Sequence, residues 1–152
     1  MFQLAYVSNT RIPFHAADLA ALALQSAEKN KQLRVTGFLN FRAEKFFQFL
    51  EGEKEVVLVL MDTIRDDERH QVVKEMQLGA FPGRLFPDWS MRYLTAYDVG
   101  EIEMEDILES TFRHMVGGPY EEEKIRAMIL RMLGTIVAQR KRLSRVPFQE
   151  DG

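Results

Sequence analysis

The sequence predicts an α+β sandwich in the order strand, helix, strand, strand, helix, strand, strand. Three observations carry this. Residues 46–52, Phe46-Phe47-Gln48-Phe49-Leu50-Glu51-Gly52, are apolar on both faces of a two-residue repeat, as a central strand covered on both sides must be. Shorter alternating runs on either side of it read as further strands. Between them lie two stretches whose apolar residues recur at helical spacing.

Taken in order, residues 2–8 read as a strand with Phe2, Leu4 and Tyr6 on one face and Gln3, Ala5 and Val7 on the other. Pro13 punctuates a loop over 9–14. Residues 16–30 read as a helix on which Leu19, Leu22, Ala23, Ser26 and Ala27 share a side. Asp18 sits in its first turn, where the helix dipole favours an acid, and Asn30 closes it as a C-cap. A strand broken by Gly37 is expected over 33–41, and 42–45 turn it as a hairpin into the Gln48 strand. Residues 53–67 read as an amphipathic helix on Val56, Val57, Leu60 and Ile64. Residues 71–78 read as a fourth strand and, past Phe81-Pro82-Gly83, 89–94 as a fifth. This order is that of a ferredoxin-like sandwich with an added strand, its two helices on one sheet face.

The second face, bearing Phe47 and Phe49, needs a cover. Residues 100–116 read as one helix with Ile102, Ile107, Leu108, Phe112 and Met115 inward, ended by Gly117-Gly118-Pro119. A last helix over 120–142 starts acidic (Glu121, Glu122, Glu123) and ends basic (Arg140, Lys141, Arg142), which complements its dipole. Ile125, Met128, Ile129, Met132, Leu133, Ile136 and Val137 give it a wide apolar stripe. These two helices are expected to pack on the open sheet face, on another chain, or on both, so a homo-oligomer is expected. The chain divides into a domain at 1–97 and a helical extension at 98–152 for output or oligomerisation.

Composition narrows the function. A hydrophobic share of 46% is ample for a core, and a net charge of −3 weighs against a nucleic-acid binder, which needs a basic face. The absence of cysteine excludes disulfides, zinc thiolates and thiol chemistry. No charged segment followed by an apolar run opens the chain, and the longest apolar run, 56–61, is too short for a bilayer. A cytoplasmic protein without a membrane partner is expected.

Gln48 is the least ordinary residue. A primary amide between phenylalanines costs a few kcal/mol unless its donors and acceptor are met. Tyr6 belongs on the neighbouring strand and can face the same helices, Asn30 ends the first helix at that side, and Trp89 adds an indole N–H. A phenol, two amides and an indole on apolar walls suit a planar heterocycle with alternating donors and acceptors. The set offers no nucleophile–base pair and no metal ligands, and His15, His70 and His114 are scattered. No enzymatic activity is expected. The acidic run Asp66-Asp67-Glu68 reads as a solvated helix end.

Over 1–97 the chain closely resembles the BLUF family of blue-light sensors that use flavin. The resemblance rests on Tyr6-Val7-Ser8, Asn30, Val35-Thr36-Gly37, Phe47-Gln48-Phe49-Leu50-Glu51-Gly52, Ile64-Arg65-Asp66-Asp67-Glu68-Arg69-His70 and Phe86-Pro87-Asp88-Trp89-Ser90-Met91, in that order and at family spacing. It implies a non-covalent flavin, FAD in most members with FMN or riboflavin as alternatives, held between the two helices. By position Tyr6 matches the family's photochemical electron donor and Gln48 its hydrogen-bond switch. Asn30 matches the residue that binds the polar edge of the ring. Leu22 and Ser26 match positions lining the ring, Arg69 and His70 those near the ring and the start of the flavin tail. Trp89 and Met91 match the fifth-strand pair implicated in signalling. Lys29 departs from the polar uncharged residue or histidine that many members carry before the asparagine. The resemblance is to short members that signal through a partner protein, whose identity the residues do not reveal. Two other readings stay open: a flavin-dependent redox enzyme, which needs substrate room beside the ring, and a light-independent interaction module docking through its last helix.

Overall fold

The computed structural model describes residues 1–117 and 120–144. Gly118 and Pro119 of the expected helix break, and 145–152 of the extension, lie outside them. The chain forms two compact units, Met1–Tyr93 and one beginning at Leu94.

The first unit is built from β1 (Phe2–Thr10), α1 (Ala16–Leu33), β2 (Thr36–Arg42), β3 (Lys45–Gly52), α2 (Lys54–Asp66), β4 (His70–Ala80) and, at its boundary, β5 (Ser90–Leu94). The sheet order is β4-β1-β3-β2-β5. β3 lies antiparallel between β1 and β2, and β1 lies antiparallel between β3 and β4, the split arrangement of a ferredoxin-like sandwich with β5 added at the edge. The Gln48 strand is central, as its two apolar faces require. Leu4, Tyr6, Leu39, Phe46, Leu50 and Met91 meet Leu19 of α1 and Val57, Leu60 and Met61 of α2 in one core. On the opposite face Phe38 stacks on Phe47 and Phe49 at 5.9 and 5.8 Å between centroids, and Phe86 meets Phe38 and Phe49 edge-on.

Three local expectations are corrected. The first helix does not end at Asn30 but runs to Leu33, where Arg34 caps it in the left-handed conformation (φ 56°), its N–H turned to the carbonyls of Asn30 and Lys31. Leu33 is therefore helical, and the next strand begins at Thr36. Gly37 does not break that strand. A β-carbon there would lie 1.9 Å from the Phe49 carbonyl oxygen, so the glycine is what lets β2 and β3 approach. The hairpin between them turns on Ala43 and Glu44, both at positive φ, as two-residue turns matched to strand twist require.

The third correction lies in the second unit. The single helix expected over 100–116 is two, α3 (Ala96–Glu101) and α4 (Glu105–Val116), followed by α5 (Glu122–Ser144). Thr95 starts α3 with a reciprocal cap: its hydroxyl accepts from the Asp98 N–H at 3.1 Å, and the Asp98 carboxylate accepts from the Thr95 N–H at 3.0 Å. Glu103, at φ 54°, then turns the chain out of the helix. α5 packs on α4 and α3. Of its stripe residues Ile125, Ile129, Met132, Leu133 and Ile136 are buried, and Met128 and Val137 are partly exposed. No helix of the described residues is long and apolar enough to cross a membrane.

Candidate functional site

A cavity of about 300 Å³ opens in the first unit between α1 and α2, over the sheet. Its apolar walls come from Phe14, Leu22, Leu39, Phe46, Leu60 and Ile64, and its polar lining includes Tyr6, Ser26, Lys29, Asn30, Gln48, Asp67, Arg69 and His70. Strand register places its central pair: Tyr6 on β1 and Gln48 on β3 are direct cross-strand partners, and Leu39 of β2 flanks Gln48 on the other side. Cross-strand partners point to the same face, here the one the two helices cover.

The Tyr6 hydroxyl donates to Gln48 Oε1 at 2.5 Å, both groups buried. Among the described residues the Gln48 amide nitrogen has no partner. Asn30 is only 3% exposed, yet its side-chain amide also has no protein partner among the described residues. Buried amides are ordinarily paired, so two unmet amides lining one cavity mark where a ligand's polar edge belongs. Burial, and after it the charge of Asp67, push the Tyr6 phenol well above its usual 10, so Tyr6 is a neutral donor.

At the α2–β4 turn the Arg69 guanidinium grips both carboxylate oxygens of Asp67 at 2.6–3.1 Å, which holds that carboxyl at about 2. His70 spends both ring nitrogens on the protein. Nε2 lies 2.7 Å from the Ile64 carbonyl, which can only accept, and Nδ1 lies 2.7 Å from the Ser8 hydroxyl. Its ring meets Tyr6 edge-on at 6.1 Å. His70 thus braces the wall behind the phenol and has no ring nitrogen free for a ligand.

The cavity brings together Tyr6, Leu22, Ser26, Asn30, Gln48, Arg69 and His70. Two expected residues lie elsewhere. Trp89 does not line it: the indole stacks on Phe86 at 4.8 Å, with the Arg92 guanidinium over it, on the side of Phe38 and Phe49. The pocket therefore holds a phenol and two amides without the indole. Met91 does not line it either, but it packs in the same core as Tyr6 and Leu39, with its backbone at φ 109°. Asp67 was missed, because an acid in an acidic run looks solvated; the Arg two residues on was its signal.

The fold and cavity define a ferredoxin-like sandwich with a pocket between its helices that suits a planar heterocycle. Residues 1–92 match the family described as BLUF, sensors of blue light using FAD. The chain is 32% identical over 93 residues to photoactivated adenylate cyclase subunit beta of Euglena longa, a match covering 60% of this chain and 11% of that protein. It is 30% identical over 109 residues to the blue light- and temperature-regulated antirepressor BluF of Escherichia coli (strain K12), covering 72% of this chain and 26% of the antirepressor. Among solved structures, the dark state of BlrB, a BLUF protein, superposes with a TM-score of 0.68 at 26% identity, covering 91% of this chain and 96% of BlrB. The chain belongs to the BLUF family of blue-light sensors. The residues present fit the flavin such sensors bind: apolar walls for a flat ring, and unmet amides at Asn30 and Gln48 for its heteroatoms.

Proposed function

We propose that the chain binds FAD in this cavity and converts blue light into a changed hydrogen-bond pattern at Gln48. The observation that carries this is the Tyr6–Gln48 bond at 2.5 Å with the far end of the amide unmet. A bound flavin supplies blue-light absorption and a transient electron acceptor. With it bound, Tyr6 would be the electron donor, Gln48 Oε1 would be placed to take its phenolic proton, and the Gln48 amide nitrogen would be left to hold the ligand. Return of the electron and the phenolic proton to Tyr6 would restore the neutral phenol and leave the Gln48 amide rotated or as its tautomer. Glutamine suits this step because it carries donor and acceptor on one group, whereas an ionised glutamate only accepts.

The change is small in energy. One altered hydrogen bond is worth roughly 0.5–1.5 kcal/mol, a bias of about tenfold, while a nearly complete two-state switch needs about 5.5 kcal/mol. The lit state therefore retunes an element already close to balance. Met91 fits that part, since a non-glycine residue at φ 109° stores backbone strain at the start of β5, in the core that also holds Tyr6. Met91 and Trp89 on this edge form the relay, and the helices after Leu94 pass the change to a partner protein or a second copy. The chain has no catalytic step of its own in this reading, and it acts in the cytoplasm.

The test is the absorption of the purified protein before and after blue light, with identification of the flavin released. A shift to the red that reverses in the dark, absent in Gln48→Leu, is expected. Bleaching without recovery marks a redox enzyme instead. Truncation after Asp98 should keep the shift and lose light-dependent association; unchanged association removes the helices from the output.

A further inference from the structure

Glu51 is fully buried at the end of β3, three residues after Gln48 and on the opposite sheet face. Four donors converge on its carboxylate. Oε1 accepts from the Leu85 N–H at 2.8 Å and the Gln3 amide at 3.3 Å. Oε2 accepts from the Phe86 N–H at 2.8 Å and the Thr36 hydroxyl at 2.9 Å. Gln3 and Thr36 are its cross-strand partners on β1 and β2, so three adjacent strands of the sheet meet at this group. Arg84 ties in beside it, donating to Thr36 Oγ1 at 3.0 Å and to the carbonyls of Glu51 and Arg34 at 3.2 and 2.7 Å.

Leu85 and Phe86 belong to the loop that leads from β4 into β5. Phe86 carries the stacked Trp89 indole, the Trp89 N–H donates to the Phe86 carbonyl at 3.1 Å, and the Trp89 carbonyl accepts from Gly37 of β2 at 2.9 Å. We infer that Glu51 is a positioning residue that latches this loop, and with it Trp89, to the strand that carries Gln48. Every partner of the carboxylate is a donor, so only the acceptor-only group serves; an amide here would turn its NH₂ against one of them. The functional consequence rests on the sensor reading above: a shift of β3 at Gln48 reaches Trp89 through Glu51 and the backbone of Leu85 and Phe86. The latch itself does not depend on light.

Trp89 is the single tryptophan of the chain, so indole emission reports on this loop alone. The experiment compares the flavin-loaded full chain with Glu51→Gln and Thr36→Val, neither of which lines the flavin cavity. In the dark, acrylamide quenching of Trp89 is expected to rise about threefold or more in Glu51→Gln, where a bond to a charged group is lost, and less in Thr36→Val, where one of four is lost. Both variants should keep the red shift of the flavin at full amplitude, while the light-induced change in Trp89 emission disappears in Glu51→Gln. Quenching that matches the parent in the variants overturns the inference, as does an undiminished light-induced Trp89 change. If Glu51→Gln does not fold, Thr36→Val decides by the same quenching comparison. A parent chain with no red shift contradicts the sensor reading and leaves the dark quenching comparison to judge the latch.

Discussion

Tyr6 and Gln48 stand directly opposite each other on adjacent antiparallel strands, and the phenol donates to the amide oxygen at 2.5 Å. Their relation is set by sheet register, so neither residue can be moved without moving β1 against β3. A one-residue slip of either strand would turn its own side chain to the other face and part the pair.

Burial and Asp67 raise the Tyr6 phenol above its usual 10, so its folded-state preference for the neutral form is fully present below pH 10 and is lost only as pH rises through the folded value. The phenolate absorbance of Tyr6→Phe should therefore overlay that of the parent up to alkaline unfolding. Ionisation of an extra tyrosine in the parent near pH 10 contradicts it.

Asn30→Leu separates a ligand residue from a structural one. In the flavin-free protein it should leave stability unchanged or raise it by up to about 1 kcal/mol, since an unmet amide is removed. Flavin affinity, followed by fluorescence titration, should fall roughly tenfold or more. Destabilised apoprotein with unchanged affinity reverses the assignment.

Gly37→Ala places a β-carbon 1.9 Å from the Phe49 carbonyl at a residue with φ 148°. The cost should be about 3 kcal/mol or more, read as a lower urea midpoint. A loss under 1 kcal/mol (roughly the size of a surface substitution) shows that β2 can move away.

Asp67 titrates at about 2 in the fold against 3.8 ordinarily, so its pair with Arg69 stabilises above pH 3.8 and stops doing so as pH falls through about 2. Both side chains are partly exposed, which limits the gain to about 1 kcal/mol or less. The melting temperature of Asp67→Asn should lie below the parent's at neutral pH and converge with it in acid. A constant gap across that range refutes the pair.

The fold was legible where burial writes itself into the residue pattern. An amide inside Phe46–Leu50 could only be a central strand facing something polar, and Tyr6 followed from topology. What stayed hidden depends on geometry that periodicity does not encode. Trp89 opens the fifth strand expected over 89–94 and precedes the observed β5, but which face it serves is decided by its stacking on Phe86. The end of α1 depends on Arg34 taking a left-handed φ that favours glycine, and the break before α4 on Glu103 doing the same. Asp67 looked solvated until Arg69 folded back on it. Glu51, in sequence only an acid near the end of the central strand, is a buried hub, because its donors come from residues as far apart in sequence as Gln3 and Phe86.

The most direct measurement is the light-minus-dark absorption spectrum of the flavin-loaded full chain beside that of Tyr6→Phe. The parent should show a small shift to the red that decays in the dark, and Tyr6→Phe should bind flavin and show none. A Tyr6→Phe protein that shifts and recovers like the parent contradicts the assignment of Tyr6 and Gln48 as the photochemical pair.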